Sequence, residues 1–441
     1  MLHRALAFAS ALGALAVLAT SSLAQTPPAP TVATIIHAGR LLADPATGRV
    51  LTQQSILVGS DGKIIGIEAG YVTRPGATII DETNRFVLPG LTDCHVHLTS
   101  QLGPNQLIEE VTRTASDDAM FGAYNARVTV QAGFTTVADL GANPDAIFAL
   151  RDAIKNGWIP GPRIIAAGAI ITPTGGHGDV NGYSPDVDHA LASTGECNGA
   201  DDCRRAVREM VQRGADIIKF VATGGVLSNT AAGVGQQFTQ DEMNAIVQTA
   251  HQLGRKAVSH AHGANGINAA LTAGVDAIEH GSYLDDDSIR LFHRMPHTYL
   301  VPTLEAGWWV GQLAARGGTL TPAQTEKART VSTAIAAMIQ RAHHANIPIA
   351  FGTDTGVSPH GQNAKEFELL VDEGGYTPLQ AIQFATINAA DHLGLTGTIG
   401  RVAPGYSADI VAVDGDPTSD VTVLMNHVAF VMARGTVVKG G

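Results

Sequence analysis

Through the middle of the chain, short apolar runs alternate with longer stretches whose apolar positions recur at helical spacing. Eight of the runs read as strands: 87–93, 135–139, 163–167, 216–221, 257–259, 277–279, 299–303 and 347–352. Between them, stretches such as 200–214, 240–253 and 325–345 carry apolar residues at a period near 3.6, the mark of helices with one buried face. Strands that alternate with helices form parallel sheets. Eight such units over this length predict an α/β fold of the (β/α)8, TIM-like barrel type over 87–397, in which reactive groups sit at the carboxyl ends of the strands.

The two ends of the described pattern differ from its middle. Residues 31–86 hold short β-like segments (33–37, 54–58, 63–67, 78–81) separated by Gly and Asp turns. Residues 409–413, 428–433 and 436–439 look the same. Two β-rich pieces around an α/β centre predict one small β-sandwich domain assembled from 31–86 and 398–441, because chain ends often lie together.

Before residue 31 the pattern changes again. Arg4 precedes an apolar or small-residue stretch over 5–19, and Ser22 and Ala24 stand at the −3 and −1 positions of a cleavage site. This predicts a signal peptide over 1–24, a flexible leader over 25–30 and a periplasmic or secreted protein. The apolar stretch is shorter than a membrane span, and no Cys follows the site, so no membrane attachment is expected after cleavage.

Composition narrows the class. Of 441 residues, 45% are hydrophobic and 15% charged, which suits a well-buried α/β chain and not a disordered one. The formal net charge of −12, without a Lys/Arg cluster, excludes nucleic acid as a partner. Of three cysteines, Cys94 reads as core packing. Cys197 and Cys203 flank an exposed-looking loop before a helix and form a candidate disulfide in an oxidising compartment.

Chemistry-bearing residues then collect at strand ends. His95 and His97 stand two apart on an extended run, so both imidazoles point the same way and can reach one metal. His260 and His262 repeat that spacing after the fifth run, His280 ends the sixth, and Asp354 follows the eighth. Lys219 lies inside an apolar strand, where an unpaired ammonium is costly. Either an acid pairs with it, or it is carboxylated by CO2 and its carbamate bridges two metals, which requires the neutral amine that burial favours. His177 lies in a Gly-rich loop past the third run, and 224–237 is a polar, Gly-rich loop after Lys219. His343, His344 and His251 sit on helical patterns and read as solvated-face residues.

The motifs FVLPGLTDCHVH (86–97), GHGD (176–179), ATGGV (222–226) and SHAHG (259–263), with Lys219, His280 and Thr353-Asp354, resemble the amidohydrolase superfamily over nearly the whole mature chain. The match is closest to its prolidase-like metallocarboxypeptidase branch, which includes Xaa-Pro dipeptidases and ochratoxin A amidases. The resemblance implies two divalent ions, with Zn2+ the default for His-rich donors. His95, His97 and Asp354 would hold the first and His260 and His280 the second, with carboxylated Lys219 between them. Asp354 would also shuttle the proton, and His177 and His262 would face the substrate.

The resemblance further implies a homo-oligomer, an octamer being one size it suggests. The expected activity is release of a C-terminal L-amino acid from a small amide or dipeptide, with ochratoxin A split into ochratoxin alpha and phenylalanine as the favoured case. The alternative is a cyclic-amide hydrolase of the hydantoinase or imidazolonepropionase type. A third reading, a binding protein on the same fold, does not account for a complete ligand set.

Overall fold

The structure is a computed structural model that describes residues 31–228 and 233–440. The expected signal peptide and leader lie outside the described residues. Among the described residues no helix is long and apolar enough to cross a membrane.

Strands β1 (Val32–Leu42), β2 (Val50–Gly59), β3 (Ile64–Ala69) and β4 (Thr78–Pro89) come from the N-terminal part. The C-terminal part supplies β12 (Ile410–Val413), β13 (Val428–Ala433) and β14 (Thr436–Lys439). They hydrogen-bond in the order β14-β13-β12-β4-β1-β2-β3. The seam between the ends is antiparallel, with Ile410 opposite Pro89 and Val413 opposite Phe86. Both chain ends thus contribute to one hydrogen-bonded order of seven strands. Its cause is the length of β4, which pairs with β1 over most of its course and with β12 over its last residues. Side chains from both arms, including Ile36, Ile56, Val87, Ile410 and Phe430, meet in one buried cluster.

The run 87–93, expected as one strand, divides at Gly90. Residues 87–89 end β4, and β5 is Leu91–Val96. A Cβ on Gly90 would lie 2.1 Å from Thr135 Oγ1, so a residue without one lets the chain pass from the terminal sheet to the central strands.

β5 pairs in parallel with β6 (Phe134–Asp139), and β6 with β7 (Arg163–Ala166). A second parallel sheet runs β8 (Ile217–Val221), β9 (Lys256–Ala261), β10 (Ala277–His280) and β11 (Tyr299–Val301). Asp216 N–H donates to the Ala166 carbonyl and Ile171 N–H to that of Lys219, which ties β7 to β8.

The eighth expected strand, 347–352, is not regular, because Pro348 has no N–H to contribute. It still bonds on both sides. Leu300 N–H donates to the Pro348 carbonyl, and Cys94 N–H donates to that of Phe351. Helices between the strands cover the apolar outer faces. Several of them start with capping boxes, among them Thr239 with Glu242 and Thr321 with Gln324. Cys197 and Cys203 are disulfide-bonded, and Cys94 is a buried thiol.

Candidate active site

The carboxyl ends of the parallel strands open into one cavity of about 620 Å3 whose lining includes every expected ligand. His95 sits near the end of β5 and His97 just beyond it. His260 lies on β9 with His262 after it, and His280 ends β10. Lys219 is in the middle of β8, nearly buried, with Nζ 3.3 Å from His95 Nε2.

Two donor groups result. One holds His95, His97 and Asp354, the other His260, His262 and His280. Asp354 Oδ1 lies 3.1 Å from His97 Nε2 and 3.5 Å from His95 Nε2. That oxygen is buried and has no hydrogen-bond partner among the described residues. A carboxylate oxygen aimed between two imidazole nitrogens suits a shared cation, so the donors fit a metal of the borderline class that His and carboxylate select. Lys219 touches His95 of this group, and its charge acts on the other three histidines.

The far nitrogen of most of these rings is anchored, which fixes the orientation of the near one. His95 Nδ1 is 2.8 Å from Glu279 Oε2, and His97 Nδ1 donates to the Gly141 carbonyl at 2.8 Å. His280 Nδ1 is 2.7 Å from Thr303 Oγ1, and His262 Nδ1 is 2.8 Å from Ser282 Oγ. His260 differs, with Nε2 3.3 Å from the Gly224 carbonyl and its ring 4.2 Å from that of His177.

Sequence reasoning missed the anchors Glu279, Thr303, Ser282 and Ser228. A signal existed for Glu279, a carboxylate at the end of an apolar run directly before His280. Pairing of the hydroxyls with particular rings needs the fold.

Burial sets the charge states. Burial drives His95, His260 and His280 well below the usual imidazole range, and takes His177 and His262 to about 3. His97 moves the other way, because the Asp354 carboxylate outweighs its burial. Burial lowers the Lys219 ammonium against the pull of Glu279 and Asp354, which favours the neutral amine. Burial also pushes the Glu279 carboxyl up to about 8.

Backbone strain concentrates here. His280, Thr303 and Asp354 have φ of 70°, 50° and 61°, left-handed values that non-glycine residues rarely adopt. Each ends or follows a strand and turns its side chain toward the cavity or an anchored ring.

His177 lines the cavity, with Nδ1 2.6 Å from Ser228 Oγ. The other histidines stay outside it. His251 pairs with Asp276 at 2.8 Å. His343, expected on a solvated face, is half-buried instead, its ring 4.1 Å from that of Tyr376, because a planar side chain at a helix end can stack there. His360 joins Nε2 to the Ser100 carbonyl at 2.9 Å and braces the loop after Asp354.

The cavity has two characters. Val226, Ala306, Val310, Val331 and Ile335 give the lining apolar side chains, whereas elsewhere it holds Glu110, Asp179 and Arg113, which pairs with Glu109 at 3.5 Å and Asp118 at 3.1 Å.

Comparison with known proteins places this geometry. The family model described as the amidohydrolase family matches residues 86–438. Ochratoxinase from Aspergillus niger is 32% identical over 433 residues, covering 92% of this chain and 87% of the relative. A Xaa-Pro dipeptidase crystallised with methionine bound in its active site superposes with a TM-score of 0.86 at 36% identity, covering 92% of this chain and 100% of that one. The crystal structure of the A. niger ochratoxinase gives 0.79 at 28% identity, covering 92% and 95%. The chain belongs to the amidohydrolase family and is a hydrolase of amide bonds.

Proposed function

We propose that this protein is an exported, binuclear metal-dependent amidohydrolase that releases a C-terminal L-amino acid from a small amide or dipeptide. Ochratoxin A, yielding phenylalanine, is the favoured substrate. The carrying observation is the pair of donor groups, His95/His97/Asp354 and His260/His262/His280, with buried Lys219 against His95. The two parallel sheets, bonded to each other and to 347–352, read as the arcs of one (β/α)8 barrel with its reactive groups at the strand carboxyl ends.

We assign His95, His97 and Asp354 to a first ion and His260 and His280 to a second, with Lys219 between them as the carbamate. Zn2+ is the default for both. When bound, two such ions acidify a water and polarise an amide carbonyl. The chain's own residues do the rest. Asp354, a carboxylate in the cavity lining beside His95 and His97, takes the proton released as the water attacks and returns it to the departing nitrogen. His177 and His262, held neutral and anchored at Nδ1, present Nε2 to the substrate carbonyl or carboxylate. The apolar part of the lining receives an apolar side chain, and the lining carboxylates Glu109, Glu110, Asp118 and Asp179 disfavour an acidic one. The volume is within the range of pockets that hold drug-sized molecules.

The disulfide supports an oxidising compartment, and intact-mass analysis of protein from the periplasm or medium should find Gln25 at its start. Light scattering tests the homo-oligomer, with an octamer as its upper size. The deciding assay is phenylalanine release from ochratoxin A beside Xaa-Phe and Xaa-Pro dipeptides. Cleavage of dipeptides alone restricts the reading to a peptidase. No turnover of any of them by protein carrying two metals per chain overturns it.

A further inference from the structure

The helix Pro322–His344 contributes no metal-donor group, yet it ends three hydrogen bonds on the loop that follows β8. Lys327 Nζ donates to the carbonyls of Gly225 at 2.9 Å and Ser228 at 2.6 Å. One turn earlier, Gln324 Nε2 donates to the Leu227 carbonyl at 2.7 Å. The Gln324 Oε1 accepts from Thr321 N–H at 2.9 Å and so caps the helix as well. Residues three apart share a helix face, so one face of this helix grips three carbonyls within 225–228.

That loop holds His177. Ser228 Oγ lies 2.6 Å from His177 Nδ1. A Cβ built on Gly225 would come within 2.2 Å of the His177 ring, so the imidazole rests directly against the loop backbone. The backbone of His177 is fixed separately, its N–H donating to Gln237 Oε1 at 2.9 Å. The same loop offers the Gly224 carbonyl to His260. The His177 ring is therefore held by Gly225 and Ser228, and 225–228 is held in turn by Gln324 and Lys327.

We propose that Lys327 and Gln324 are positioning residues, which hold the 224–228 loop so that Gly225 and Ser228 present the His177 imidazole to the substrate. This rests on the reading of His177 as a substrate-contacting group. Lysine suits the task because one ammonium can donate to two carbonyls that diverge. Neither residue needs to touch the substrate.

The test compares Lys327→Met, Lys327→Arg, Gln324→Ala, His177→Asn and the double variant Lys327→Met/His177→Asn, each loaded with metal. A misplaced contact of about 1 Å costs on the order of 10²-fold, so Lys327→Met should lower kcat/KM by about 10- to 100-fold. Metal content should stay at the wild-type value, and Gln324→Ala should show a smaller loss. Lys327→Arg should recover most of the activity, since a guanidinium also donates to two acceptors.

The double variant should be no worse than His177→Asn, which shows that Lys327 acts through His177. Hydrogen exchange at 225–228 should quicken in Lys327→Met and in Gln324→Ala. The second variant keeps the test open where the first fails to fold. Additive losses, or metal loss in Lys327→Met, would overturn the proposal. So would a harmless Lys327→Met beside a damaging His177→Asn. A His177→Asn variant with wild-type kinetics sinks the underlying reading of His177 instead.

Discussion

Glu279 shows how much of this site lies one residue behind the donors. It is fully buried, and Oε2 faces His95 Nδ1 at 2.8 Å. Glu279→Gln keeps the shape but exchanges the carboxyl that orients His95 for an amide, so metal affinity should fall about 10- to 100-fold, read by competition with a chelator. Unchanged affinity would mean that Glu279 only fills space. The same measurement separates the β9 pair. His260→Ala should lose about one metal per chain, and His262→Ala should keep both while KM rises. The reverse result would exchange the two roles without altering the chemistry. At this scale the sequence was legible wherever residue type and spacing carry the chemistry, as for His95, His97 and Lys219. It was silent on Ser228, Ser282 and Thr303, because a hydroxyl becomes an anchor only when a particular ring lies beside it.

Strands and helices were legible through their periodicity, and departures from the expected bounds have local causes. Gly90 splits the first run because its neighbour Thr135 leaves no room for a Cβ. Pro348 prevents a regular eighth strand while its carbonyl still accepts from Leu300. The third-strand loop depends on another element, the disulfide. Cys197 N–H donates to the Thr172 carbonyl, and Gly178 N–H donates to Thr172 Oγ1 beside His177. Cys197 and Cys203 close a loop six residues apart, worth about 2 kcal/mol by chain entropy. A Cys197→Ser/Cys203→Ser variant should therefore unfold at a lower temperature and lose its sensitivity to reductant. An unshifted midpoint in both states would show that the bond is not needed for stability.

Taken as a whole, the molecule closes its terminal sheet with strands more than three hundred residues apart in sequence. Its proposed metal site draws on β5, β8, β9 and β10 and on the segment after 352. Metal bound to the folded chain but not to the unfolded one stabilises it by about 2.7 kcal/mol per site at a hundredfold excess over Kd. Chelation should thus abolish activity and lower the unfolding midpoint together, and Zn2+ should restore both. Loss of activity with no change in midpoint would place the metal outside the fold's stability. The donor types, their order along the chain and the alternation of strand and helix are local properties, and so were written in the sequence. A spacing of two on a strand or a buried lysine in an apolar run restricts chemistry without any partner. The joining of the two ends into one sheet, the anchors behind most of the imidazoles and the grip of Lys327 on the His177 loop depend on contacts between residues far apart in the chain. Such contacts are chosen by packing, where many distant surfaces must fit at once, and only the folded molecule decides them.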